Sequence, residues 1–256
     1  MKKLIRSAFR ACGFDLVPYR PRPEPTRLPS DITERDRLII DRISDYTMTS
    51  LERKIALIQA TRYLTRHNVE GCIIECGVWR GGSSMAAALT LIQEGDTSRD
   101  VYLFDTFEGM PPPKDVDRTV DGTLAQTHLD RDPDKAGWVW AVAGIDDVRR
   151  NMGSTGYPQD RVKYVKGPVE ATIPSNAPAE PIALLRLDTD WYESTKHELT
   201  HLFPRLSEGG VLIIDDYGHW EGARKAVDEY FTALGRPYFL HRVDYTGRLL
   251  VKSWRG

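Results

Sequence analysis

From residue 71 onward the chain alternates short apolar runs with stretches of helical character, and this alternation restricts the folds open to it. The runs are CIIECGV (72–78), VYLFDTF (101–107), VKYVKG (162–167), IALLRLD (182–188) and GVLIIDD (210–216). Helices are predicted around and between them at 82–94, 139–153, 191–206 and 220–235. Apolar strands that alternate with helices predict a parallel sheet covered on both faces, a doubly wound α/β fold. YFLHRVD (238–244) and RLLVKSW (248–254), split by Tyr245-Thr246-Gly247, predict an antiparallel C-terminal hairpin.

The N-terminal part is organised differently. MKKLIRSAFRACGF (1–14) is basic and amphipathic, and residues 18–30 are rich in Pro and Arg. The first lacks the long apolar centre of a signal peptide. It reads as a short helix packed on its own domain or on a partner subunit, with peripheral adsorption to an anionic membrane as the other reading. The second reads as an extended linker. Helices are predicted over 31–43 and from Thr49 or Ser50 to His67, where Leu51, Ile55, Ile58, Ala60 and Leu64 give an apolar stripe. The expected division is therefore 1–45 as a helical extension and 46–256 as the α/β domain.

Ligands in doubly wound folds bind outside the carboxyl ends of the strands. Those ends read Glu75-Cys76-Gly77, Asp105-Thr106, Lys166-Gly167, Asp188-Thr189-Asp190 and Asp215-Asp216. So many acids at one edge repel one another unless a ligand or cation neutralises them. Hard oxygen donors at neighbouring tips suit Mg²⁺, with Mn²⁺ or Ca²⁺ as alternatives. Mg²⁺ takes few carboxylates, so one of Asp188, Asp190, Asp215 and Asp216 is left for proton transfer. The competing reading, helix capping by Asp190 and a turn at Asp215, explains one acid per strand and not two. Glu75-Cys76-Gly77-Val78-Trp79-Arg80-Gly81-Gly82-Ser83-Ser84 places glycines at the first strand-to-helix turn, where a nucleoside ligand and a plain structural turn are both open. Asp105 reads as a ribose acceptor or as a turn aspartate.

Other features carry less. A net charge of −2 gives no reason to expect nucleic acid. Cys12, Cys72 and Cys76 lack the companions of a zinc site and fit a reducing cytoplasm. His197 and His201 read as a solvated helix face. His219, directly after the acids, is a candidate lining residue, and Trp138 and Trp140 read equally as stacking or core residues.

Glu75 to Gly82, Asp105-Thr106-Phe107-Glu108-Gly109-Met110, Leu187-Asp188-Thr189-Asp190 and Ile213-Ile214-Asp215-Asp216-Tyr217 together resemble the macrocin O-methyltransferase family, in consistent order from Tyr46 to Lys252. The resemblance implies a class I methyltransferase fold using S-adenosyl-L-methionine and Mg²⁺, with Mn²⁺ as the alternative, and a sugar hydroxyl as acceptor. It implies Asp188, Asp215 and Asp216 as metal ligands and Asp190 as general base. Thr47 and Met48 match a segment that closes over the methionine part of the cofactor. Glu75, Gly77, Val78, Trp79 and Ser83 match the first-turn cofactor contacts. Asp105 and Thr106 match the ribose contact, Gly167 and Val169 the approach to adenine, and Asp188 touches cofactor as well as metal. A histidine found near the acceptor in some members does not align; His128 is a loose counterpart. Acceptor choice is expected to lie in Lys114–Gly137. A homo-oligomer is expected, with helices 31–66 bridging subunits. A nicotinamide-dependent oxidoreductase, a sugar- or nucleoside-binding accessory protein and a catechol-type methyltransferase are the competing readings. The missing G-x-G-x-x-G argues against the first, and four intact acids against the second.

Overall fold

The computed structural model describes residues 28–252 apart from residue 136. The amphipathic segment 1–14, most of the Pro-rich stretch and residues 253–256 lie outside the described residues. The chain divides into two units, Met1–Glu34 and Arg35–Gly256, and the sheet belongs to the second.

Seven strands form one sheet in the order β3-β2-β1-β4-β5-β7-β6. They are β1 (Cys72–Cys76), β2 (Val101–Asp105), β3 (Val162–Lys166), β4 (Ile182–Leu187), β5 (Leu206–Ile214), β6 (His241–Arg242) and β7 (Arg248–Val251). β1 to β5 are parallel, while β7 runs antiparallel to β5 and to β6. This is the doubly wound sheet with an antiparallel edge that the apolar runs predict. The order reverses between β1 and β4, so a crevice opens where Gly77 and Asp188 follow their strands.

Alternation along the strands divides the core. Cys72, Ile74, Cys76, Leu185, Leu187, Leu212 and Ile214 share one cluster with Leu199 and Leu202 of α7 (Tyr192–Leu202) and Val227 of α8 (Glu221–Leu234). The intervening positions, including Glu75 and Arg186, turn to the other face. There α2 (Leu51–Arg66) packs on α3 (Gly82–Glu94). Ser50 caps α2 by accepting the Arg53 backbone N–H at 3.2 Å. α1 (Glu34–Ile43) is tied to α2 by Arg62, which donates to Asp36 at 2.8 Å. No helix among the described residues is long and apolar enough to cross a membrane.

The predicted helix over 139–153 is two pieces. A 3-10 turn covers Trp138–Trp140, Ala141 adopts φ +44°, and α5 (Ile145–Ser154) begins after extended Gly144. The apolar run Val139 to Ala143 imitated helix, but the left-handed Ala141 breaks it. The predicted helix 191–206 ends at Leu202 in a 3-10 turn carrying Pro204. β5 starts at Leu206, earlier than its apolar run suggests, and β6 is only a pair of residues. α4 (Ala125–Asp130) and α6 (Val169–Thr172) were not expected from the sequence.

Candidate active site

The crevice is a cavity of about 320 Å³, within the range of small-molecule sites. Its lining contains Thr47, Met48, Glu75, Gly77, Val78, Trp79, Ser83, Asp105, Thr106, Gly167, Val169, Asp188, Asp190, Asp215 and Asp216, but not His128, Trp140 or any residue of the segment 114–137 where acceptor choice was expected.

The glycine turn is built by backbone crowding. A Cβ on Gly77 would overlap the Asp188 carbonyl, so β1 and β4 approach there as only glycine allows. The close neighbour of Gly77 is thus the next strand tip, while the residue also lines the cavity. A Cβ on Gly82 would overlap the Tyr46 carbonyl, so this glycine lets Tyr46–Thr47 rest on the start of α3. Gly82→Ala is expected to cost about 1–3 kcal/mol of stability in urea unfolding, because the overlap is with backbone that has nowhere to go. A loss below that range would show that Tyr46–Thr47 moves freely.

Asp105 accepts the backbone N–H of Val78 at 2.6 Å and of Trp79 at 3.2 Å on one oxygen, and that of Phe107 at 2.6 Å on the other. Trp79 and Phe107 both have positive φ, +46° and +53°, which is strained for bulky residues. Its carboxylate therefore pins two turns while forming part of the cavity wall. The structural bonds of a turn aspartate are present.

The acid cluster is held by one buried and one half-buried guanidinium. Arg186, 3% exposed, lies in β4 directly beside Glu75 of β1. It donates to Glu75 and Asp188 at 2.6 Å each and to Asp215 at 2.5 Å. The second oxygen of Asp215 pairs with Arg53, which also donates to Asp244 at 3.0 Å. Ser84 donates to the other oxygen of Glu75. Carboxylates of Asp188, Asp215 and Asp216 offer oxygens that all lie within 4.8 Å of one another.

Asp190 stands beside this cluster at φ +65°. Its backbone N–H donates to Asp216 at 3.3 Å. Thr189, between Asp188 and Asp190, donates to buried Glu198 at 3.0 Å, which fixes the turn from behind. Burial pushes the Asp190 carboxyl up to about 7, against hydrogen bonds with Asp216 and Trp220 and with the charges of Asp188 and Asp215 adding to the rise. Burial, then the neighbouring Asp190 and Asp215, hold Asp216 well above the usual carboxylate range. Arg53, Arg186 and Glu198 were missed by the sequence reading. An arginine inside a buried strand was the available signal, since such a charge is buried only when paired.

Around the acids stands an aromatic wall. Trp220 is stacked against Trp138 and edge-on to Trp191 and His219. Trp138, His219, Trp220 and Tyr245 line the cavity. Trp140 instead packs against the buried cluster of Trp191 and Trp220, and its ring N–H donates to the Asp132 carbonyl at 2.8 Å. His197 bonds the Ile173 carbonyl at 2.8 Å, away from the site.

Comparison with known proteins agrees with this geometry. Residues 29–252 match the model of the family described as macrocin-O-methyltransferase (TylF). The chain is 37% identical over 202 residues to the 8-demethyl-8-(2,3-dimethoxy-α-L-rhamnosyl)-tetracenomycin-C 4'-O-methyltransferase of Streptomyces olivaceus, covering 79% of this chain and 74% of that one. It is 36% identical over 185 residues to the mycinamicin III 3''-O-methyltransferase of Micromonospora griseorubida, covering 72% and 70%. The solved structure of the O-methyltransferase NovP superposes with a TM-score of 0.69 at 32% identity, over 82% of this chain and 83% of that one. With residues 29–252 matched to the family model and relatives 36–37% identical over 72–79% of this chain, the chain belongs to the macrocin O-methyltransferase family.

Proposed function

We propose that this O-methyltransferase transfers the methyl group of S-adenosylmethionine to a sugar hydroxyl, with a divalent cation at Asp188, Asp215 and Asp216 and with Asp190 as general base. The observation that carries the reading is that one cavity joins the glycine turn to the acid cluster. The acceptor class is supported by relatives whose names specify a rhamnosyl-tetracenomycin and mycinamicin III.

The donor set fits a hard divalent cation. All three groups are carboxylates, and their oxygens converge within 4.8 Å. Carboxyls outnumber the guanidiniums of Arg53 and Arg186 in the cluster, so negative charge remains to be balanced. Asp188, Asp215 and Asp216 would hold such a cation, which would supply Lewis-acid chemistry toward the acceptor hydroxyl. S-adenosylmethionine, when bound, supplies a methyl group activated by its positive sulfonium.

The remaining work falls to the chain. A sugar hydroxyl is scarcely ionised at neutral pH, so a base must take its proton. Asp190, whose backbone N–H bonds Asp216 and which lines the same cavity as the three acids, is placed for that task. The turn from Thr189 to Trp191 aims it, with Thr189 anchored on Glu198. Tyr46 to Thr49 line the cavity from outside the sheet and help exclude water.

Binding tests the reading directly. S-adenosylhomocysteine at 100 times its Kd is expected to stabilise the protein by about 2.7 kcal/mol, and NAD not at all. Equal stabilisation by NAD, or none by S-adenosylhomocysteine, would overturn it.

A further inference from the structure

A cluster of three arginines lies outside the cavity. Arg242 and Arg248 stand directly opposite one another in the antiparallel pair of β6 and β7, so their side chains leave the same face of the sheet. Arg248 lies over the Tyr217 ring, its guanidinium carbon 4.7 Å from the ring centroid. Arg224 of α8 reaches the same ring at 5.7 Å. None of these four residues lines the cavity. They are tied to its rim through the backbone: Arg242 donates to the Tyr245 carbonyl at 3.5 Å and Arg248 to the Thr246 carbonyl at 3.3 Å. Arg224 donates to the carbonyl of Tyr217, the residue after Asp216, at 3.1 Å.

The chain alone does not balance this charge. Like charges directly opposite in an antiparallel pair are destabilising. Arg248 is also only 5% exposed, and a charge so buried ordinarily has an acid partner. Arg186 has three such partners. Arg248 has none among the described residues; its bonds go to the carbonyls of Thr246 and, at 2.8 Å, Gly247. Arg224 and Arg242 likewise bond only carbonyls. Two acids adjoin the cluster, and both are engaged. Asp228 accepts the Tyr217 hydroxyl at 2.9 Å, and Asp244 pairs with Arg53 at 3.0 Å. Burial, then the charge of Arg242 with that of Arg224 adding to it, hold the Arg248 guanidinium below the usual arginine range, against Tyr217 and Asp244.

We propose that Arg224, Arg242 and Arg248 form a binding site for a phosphate group, either free or esterified to a sugar. Guanidiniums give phosphate oxygens parallel N–H bonds, and three of them match a multiply charged anion better than the single charge of a carboxylate. The bound group offsets the cross-strand repulsion and gives buried Arg248 its counter-charge. The site stands apart from the methyl-transfer reading, because none of its residues lines the cavity.

Calorimetric titration and thermal unfolding test the site, in EDTA so that no metal bridges the anion. Pyrophosphate is expected to bind with a Kd of about 1 mM or tighter. Arg242→Gln and Arg224→Gln should each weaken it by about 10-fold or more, as loss of a charge-assisted hydrogen bond does. Lys225→Gln removes an exposed positive charge from the next position of α8 and should bind as wild type does. Without pyrophosphate, Arg242→Gln should unfold at or above the wild-type temperature, because the repulsion is relieved; with pyrophosphate, wild type should gain and the variant should not. Inorganic phosphate and glucose 1-phosphate separate the two sources: tighter binding of the sugar phosphate assigns an esterified group, and tighter or equal binding of inorganic phosphate a free one. No binding of pyrophosphate, wild-type affinity in both arginine variants, equal weakening in Lys225→Gln, or a lower unfolding temperature of ligand-free Arg242→Gln would each overturn the site.

Discussion

Asp190→Asn is expected to lower kcat by about 10²–10⁴-fold on any acceptor the wild-type enzyme methylates, while leaving S-adenosylhomocysteine affinity close to wild type. Asparagine is nearly isosteric and tolerates the left-handed backbone at this position, φ +65°. It keeps an oxygen for the Trp220 contact but cannot take a proton. Asp190 and the glycine turn sit on different strand tips, since Asp190 follows β4 and Gly77 to Ser83 follow β1. The chemical step should therefore fail with folding and cofactor binding intact. Single-turnover kinetics with labelled S-adenosylmethionine reads the difference; wild-type turnover in this variant would remove Asp190 from the mechanism.

Arg186→Met is expected to destabilise the protein by about 3–5 kcal/mol, the cost of breaking a buried ion pair from one side. Its guanidinium is the shared partner of Glu75, Asp188 and Asp215. Methionine fills much of the volume but leaves these acids facing one another across β1, β4 and β5. Part of the loss should return in the double variant Arg186→Met/Glu75→Gln, because one of the repelling charges is gone. Urea denaturation of the single and double variants measures both effects. A loss below about 1 kcal/mol in the single variant would mean that Arg186 does not organise the cluster.

The strand tips were legible from the sequence because they follow local rules. Buried parallel strands show as apolar runs, and each run here stops at its acid or glycine. The cavity consequently contains the residues anticipated from those tips. What escaped were the counter-charges. Arg53 comes from α2 and reaches Asp215 across 162 positions of sequence, a pairing that no local pattern records. Glu198 lies on the helix whose His197 and His201 read as a solvated face, yet it is fully buried behind Thr189. Arg186 sits inside IALLRLD, where its aliphatic neighbours hid the one residue that changes what the strand does. α4 escaped for a related reason: Ala125 and Leu129 gain their packing from Trp191 and Trp220, far along the chain.

The direct test of the central claim is an anomalous difference map from crystals grown with S-adenosylhomocysteine and Mn²⁺. One manganese peak is expected, coordinated by carboxylate oxygens of Asp188, Asp215 and Asp216, beside S-adenosylhomocysteine seated against Gly77 to Ser83. S-adenosylhomocysteine in that cavity with no manganese among these three acids would contradict it.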